Sequence, residues 1–273
     1  MEISDAILLG ILQGLTEFLP ISSSGHLVLG QYLLGIENQG ILFEVIVHFG
    51  TLMAVLLAFR KDIYAMLASL RPLFGAGSLK KAGAAFNASE NMRWTFYILL
   101  ATLPAVVVGL WLEDRIEAAF ASPYLVSFML LGTAAILLAT KFFKASGRPL
   151  QSRSALIIGL AQALAILPGI SRSGSTISAG LWQHLSGNDA ARFSFLLSIP
   201  AILGATLLKS VDLFQQHLEV SVLATLLVGF LFSFVSGYFG IILLLNIVKK
   251  GKLYWFAPYC VIIAILGLVF FSP

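Results

Sequence analysis

Charge is scarce in this chain. Only 11% of its 273 residues are Asp, Glu, Lys or Arg, against about a quarter in soluble domains. With 59% apolar residues and a mean hydropathy of +0.95, an ordinary soluble domain is excluded and an integral membrane protein is expected. Cysteine is nearly absent: Cys260 alone rules out an internal disulfide and leaves the redox compartment open. The amino-terminus, Met1-Glu2-Ile3-Ser4-Asp5, has no basic region, and no small-residue cleavage site follows. No removed signal peptide is therefore expected. No separate soluble domain is expected either, because the longest polar stretch is the loop around residues 60–93.

A spanning helix needs about 17–25 mostly apolar residues. Six segments qualify or nearly do: about 42–59, 94–112, 124–140, 193–208, 221–247 and 253–271. Two other stretches behave differently. Residues 5–19 stop at Pro20 and are followed by a short piece at 27–35; residues 154–167 stop at Pro168 and are followed by 175–185. Each piece is too short to cross alone. A helix–loop–helix that enters and leaves on one side is expected, its irregular loop tolerated only where protein or a watery cavity surrounds it.

The basic residues support this layout. Six spans and two re-entrant hairpins place Arg60, Lys61, Arg71, Lys80, Lys81, Arg93, Lys141, Lys144, Arg148, Arg153, Arg192, Lys249, Lys250 and Lys252 on one face. Only Arg115 and Lys209 fall on the other, and Arg172 lies in a loop. The positive-inside rule makes the crowded face cytoplasmic and both termini external.

The two hairpins also align without gaps at an offset of 149 residues: Gly10 with Gly159, Gln13 with Gln162, Leu15 with Leu164, Ile21 with Ile170, Ser22 with Ser171, Ser24 with Ser173 and Gly25 with Gly174. Each half then holds one hairpin and three spans. Three is odd, so the second half is inverted, as in transporters whose broken helices meet at the midplane. The expected fold is an all-α polytopic membrane protein. Its single domain, 1–273, has one repeat at about 1–145 and a second at about 150–273.

The hairpin loops are polar islands, and ionisable groups at membrane depth mark function by default. The first runs from Gln13 to His26 and contains Glu17, Pro20, Ser22, Ser23, Ser24 and Gly25. The second contains Pro168, Gly169, Ser171, Arg172, Ser173, Gly174, Ser175 and Thr176. Gln13 and Glu17, four apart, share a helix face. Helix starts and hydroxyls attract phosphate oxygens, and the planar fork of Arg172 suits a phosphate. His26 is placed to relay a proton or orient a serine; Glu17 is placed to hold a divalent cation or act as a base. These groups hold and cleave a phosphate ester or anhydride. Plainer roles compete: helix packing for Ser24 and Ser175, a structural hydrogen bond for His26, and a structural ion pair between Glu17 and Arg172. Glu44 and His48, also four apart, are read as lining the entrance to the first span rather than doing chemistry.

At these residues the chain resembles the undecaprenyl-diphosphate phosphatase family, the integral membrane type linked to bacitracin resistance. The resemblance rests on Gln13 through Glu17, Pro20 through His26, and Pro168 through Thr176. It implies hydrolysis of undecaprenyl diphosphate to the monophosphate carrier lipid and phosphate, in the bacterial cytoplasmic (inner) membrane. It implies assistance by a divalent cation, magnesium or calcium, and competition from bacitracin, which binds the lipid rather than the protein. Glu17, Ser23, His26 and Arg172 map onto the family's catalytic positions, with Ser171 and Thr176 assisting. Ser22, Ser24, Gly25, Ser173 and Gly174 are expected around the phosphates. Ser23 activated by His26 is the expected nucleophile, and a water activated by Glu17 or His26 is the alternative. Gln13 stands where some members carry glutamate, so metal binding falls chiefly on Glu17. The rival function is a polyprenyl-phosphate flippase or another inverted-repeat transporter, which would not need the Glu17, Ser23 and His26 cluster. A homodimer is left open.

Overall fold

The structure, a computed structural model, describes all residues except 37–40, 75–78, 144, 212–219 and 273. Lys144 and Pro273 therefore lie outside the described residues, as do the side chains of Lys80, Lys81 and Lys209.

The described residues are helical, with no strand among them. The first hairpin is α1 (Ile3–Phe18) and α2 (Ser23–Leu33). Helix α1 starts where the Asp5 carboxylate accepts from the backbone N–H of Glu2 at 3.0 Å. It ends because Pro20 forces Leu19 out of the helical region, to φ −64° and ψ 144°. Next come α3 (Ile41–Ala58), three shorter helices α4 (Arg60–Ser69), α5 (Arg71–Phe74) and α6 (Leu79–Ala88), then α7 (Glu90–Trp111), α8 (Glu113–Phe120) and α9 (Pro123–Ala139). The second hairpin is α10 (Ser152–Leu164) and α11 (Arg172–Trp182), followed by α12 (Gly187–Val211), α13 (Val220–Lys249) and α14 (Ala257–Phe270).

Five helical stretches are long and apolar enough to cross a membrane: Glu90–Trp111, Pro123–Phe142, Gly187–Leu207, Val222–Lys249 and Leu253–Phe270. A sixth exists if Leu42–Ala58 and Arg60–Leu73, bent by 74° at their junction, are taken as one span. The expected segments are thus all helical, and the expected first span is the one of marginal length. At 1.5 Å per residue the 16 residues of α1 reach about 24 Å and the 13 of α10 about 20 Å, short of a hydrocarbon core of about 30 Å.

Small residues set how the hairpins dock. Helix α1 lies along α13, and a Cβ on Gly14 would sit 1.9 Å from Ser236 Oγ and 2.5 Å from the Ser233 carbonyl. Gly10 meets the Gly229 carbonyl in the same seam. Helix α10 lies along α7 in a similar way, with a Cβ on Gly159 falling 2.4 Å from the Ala101 carbonyl. Close backbone approach of this kind is how apolar helices associate without a hydrophobic driving force between them. Beneath the hairpins, Phe18, Phe59 and Phe195 form a buried aromatic cluster, with Phe18 and Phe195 edge to face at 5.5 Å.

The tips of the two hairpins touch. Ser173 Oγ donates to the Leu19 carbonyl at 3.2 Å, and Gly174 packs against Pro20. Each tip rests on another helix. Thr133 Oγ1 of α9 donates to the Gly169 carbonyl at 2.7 Å and accepts from Ser171 N–H at 2.8 Å. Cys260 Sγ of α14 donates to the Pro20 carbonyl at 3.9 Å. Gly169 is required where it stands: its φ is +93°, and a Cβ would lie 2.3 Å from the Val126 carbonyl.

Candidate active site

The two loops end in matching caps. Ser22 Oγ accepts from Gly25 N–H at 3.3 Å and Ser171 Oγ from Gly174 N–H at 3.0 Å. Each cap oxygen also lies 3.3 Å from the hydroxyl of the serine two residues on, Ser24 and Ser173 respectively. The first residues past the caps are Ser23 and Arg172, so two helix N-termini of eleven residues each begin at the same place. Partial positive charge from both starts favours an anion there. Ser22 adopts φ +70°, a conformation rare for a residue with a side chain. Such strain costs about 1–3 kcal/mol and concentrates at functional sites. His26 holds it: the Ser22 carbonyl accepts from His26 N–H at 3.1 Å and from Nδ1–H at 2.8 Å.

Glu17 is the hub. Its side chain is 7% exposed, and both oxygens are occupied. Arg172 Nη2 donates to Oε1 at 2.5 Å, while Ser23 Oγ at 2.6 Å and Gln13 Nε2 at 3.0 Å donate to Oε2. The pairing of Glu17 with Arg172, which the sequence offers as a structural alternative, does exist. It leaves Arg172 Nη1 buried with no partner among the described residues. An arginine with one arm committed and one idle is poised to take a further acceptor.

These groups face a polar chamber of about 140 Å³ lined by Glu17, Ser22, Ser23, Ser24, Ser171, Arg172 and His48, with Phe120, Ala165, Ile166 and Ile170 closing it. A cavity of about 330 Å³ shares Glu17, Ser24, His48, Phe120, Ala165, Ile166 and Arg172 with it. The remaining wall of this larger cavity is mostly apolar, with Leu27, Val28, Val45, Ile116, Ala201 and Ile202, and its polar members are Glu44 and Thr206. A polar pocket thus opens into an apolar one.

Several expected roles do not match this placement. His26 does not reach Ser23. Its Nδ1–H is spent on the Ser22 carbonyl, so the Nε2 of the neutral ring accepts the Tyr259 hydroxyl at 2.8 Å, outside the chamber. The carboxylate of Glu17, six residues away across the Pro20 break, takes the place expected of the imidazole. Thr176 is fully buried, donating to the Arg172 carbonyl at 2.8 Å and lying 2.6 Å from Ser194 Oγ. Ser173 joins the two tips, and the amides of Gly25 and Gly174 are consumed by the caps. Of the expected phosphate ligands, Ser22, Ser24 and Ser171 line the chamber. Gln13 is fully buried behind Glu17 and does not line it.

A cation at Glu17 would have to displace the Arg172 guanidinium from Oε1, while Ser23 Oγ and the buried Gln13 Oε1, which has no partner among the described residues, are the neighbouring oxygens that would join it. Among the described residues no three His, Cys, Asp or Glu side chains gather into a metal-binding group. His48, expected at the entrance to the first span, lines both cavities, and the contacts of Tyr259 and Thr133 are not foreseen from the sequence. The four-residue spacing of Glu44 and His48 was a usable signal for the first; nothing local marks the other two.

Residues 6–266 match the family described as "Bacitracin resistance protein BacA". The chain belongs to this family. Curated relatives extend the match: a protein of Korarchaeum cryptofilum named "Undecaprenyl-diphosphatase" is 47% identical over 98% of this chain and 100% of its own. Proteins with the same name from Desulfosudis oleivorans, at 46% over 96% of both chains, and Desulforapulum autotrophicum, at 42% over 98% of both, are also similar. Family membership and the apolar helices together make this a multi-pass membrane protein.

Proposed function

We propose that this protein hydrolyses undecaprenyl diphosphate to undecaprenyl phosphate and inorganic phosphate, and so returns the carrier lipid to cell-wall synthesis. The observation that carries this reading is the Ser23–Glu17–Arg172 cluster in a polar chamber that opens into an apolar one. The diphosphate enters the polar part and the first isoprene units lie along the apolar wall. Arg172 Nη1, the helix starts and the hydroxyls of Ser22, Ser24 and Ser171 hold the terminal phosphate. Glu17 takes the proton of Ser23 as Oγ attacks the terminal phosphorus, and the lipid monophosphate leaves with the bridging oxygen. Arg172 offsets the charge that builds in the transition state. Binding or flipping a lipid needs no serine bonded to a buried carboxylate, so hydrolysis is preferred over transport.

The cation expected from the resemblance, magnesium or calcium, is assigned to the diphosphate itself, which would carry it in. Bacitracin competes for the lipid in the same way, outside the protein. The two halves, about 1–145 and 150–273, form an inverted repeat with both termini external. The reading is supported by contacts that exchange when the halves are swapped: α1 on α13 and α10 on α7, Gly10 with Gly159, and Cys260 to Pro20 with Thr133 to Gly169.

Phosphate release from undecaprenyl diphosphate by the purified protein, with and without chelator, tests the function. Turnover that stops with chelator and returns with magnesium or calcium is expected. Lipid binding with no phosphate released under either condition would leave a transporter.

A further inference from the structure

The inner chamber holds one more base than the attack of Ser23 uses. His48 of α3 directs Nε2 to 3.8 Å from Glu17 Oε2, the oxygen that accepts the Ser23 hydroxyl. Its ring is fixed from behind, since Nδ1–H donates to the Glu44 carbonyl one turn earlier at 2.7 Å. In the neutral ring this places the lone pair on Nε2, facing the chamber. The side chain is 30% exposed and lines both cavities.

We infer that His48 is the base that activates water in the second half of the reaction. The inference rests on the serine reading given above and extends it. Attack by Ser23 leaves a phosphoserine, with the serine's proton on Glu17. Hydrolysis of that ester breaks the bond between phosphorus and Oγ, and Oγ must recover a proton as it leaves. Glu17 returns it, the reverse of the first step. Glu17 is therefore already protonated and cannot also accept the proton of the attacking water. Of the other residues lining the inner chamber, Arg172 is cationic, the serines are neutral hydroxyls and the rest are apolar. Among the described residues of the inner chamber, His48 Nε2 alone is left to accept it. Water oxygen forms the new bond to phosphorus, its proton goes to Nε2, phosphate departs, and the imidazolium loses the proton to solvent. The Glu17 carboxylate regenerated in the same step lies beside that imidazolium and stabilises it.

The test uses full-length purified protein and undecaprenyl diphosphate labelled in its terminal phosphate. In His48→Ala, lipid monophosphate should appear in a rapid burst of about one equivalent. Phosphate release should then slow by about 10²–10⁴, with label retained on Ser23 after acid quench. His48→Gln, which keeps a polar side chain but cannot accept a proton, should trap the same species. If both variants lose the burst and hold no label while overall turnover falls, His48 acts before or during the first transfer, and the inference fails. If Ser23→Ala still turns over and no variant carries label, the serine reading itself is wrong. Those two failures are distinct in the data.

Discussion

At the scale of single residues, Arg172 divides its guanidinium between Glu17 and an unfilled direction. Lysine keeps the charge but supplies no second arm. Arg172→Lys should therefore insert and fold yet lose about 10²–10³ in rate, as when one preorganised donor is removed; phosphate release by the purified variant checks it. The Nδ1–H of His26 bonds the carbonyl of the strained Ser22, and we propose that His26 acts by positioning that turn. An asparagine amide reaches the same carbonyl, so His26→Asn should keep far more activity than His26→Ala. Equal losses would mean that the imidazole has a proton-transfer role. Sequence alone could not show this. Ser23 and His26 are three apart and share a helix face, which favours pairing them. Glu17 lies six residues before Ser23, a spacing no regular element brings together. The turn at Pro20 does so instead.

At the scale of elements, the breaks at Pro20 and Pro168 are legible because proline acts on its own neighbour and needs no tertiary context. The docking of the hairpins is less so. Gly10 and Gly14 mark α1 as a close-packing helix, but only the structure shows that α13 receives it. Gly14→Val should lower thermal stability in detergent markedly, because the added atoms fall on Ser236 and the Ser233 carbonyl; overpacking costs about 1–3 kcal/mol. Gly204 of α12 is the control. A Cβ there meets no atom of the described residues within 4 Å, and Gly204→Ala should be neutral or raise stability by about 0.5–1 kcal/mol. Thr133 and Tyr259 show the limit of sequence reading: their partners lie 36 and 233 residues away. A single hydroxyl on an apolar helix carries no sign of such a contact.

For the whole molecule, composition and charge distribution carried most of the reading. They predict the membrane class and the six-span layout with its two hairpins; the helices agree in number if the bent segment at Arg60 is one span. Orientation is open to direct test. A reporter fused after Lys252 should be cytoplasmic, and reporters at the amino-terminus and after Pro273 external; termini on opposite faces would break the inverted repeat. In the proposed reaction the Ser23 hydroxyl, bonded to Glu17 in the polar chamber, attacks the diphosphate. The most direct measurement compares phosphate release from undecaprenyl diphosphate by Ser23→Ala, Ser22→Ala, Ser24→Ala and Glu17→Ala. Ser23→Ala and Glu17→Ala should lose nearly all turnover while Ser22→Ala and Ser24→Ala keep a measurable share. Ser23→Ala retaining about a tenth or more of the wild-type rate while Glu17→Ala is inactive would contradict attack by Ser23, and an activated water would then be the attacking group.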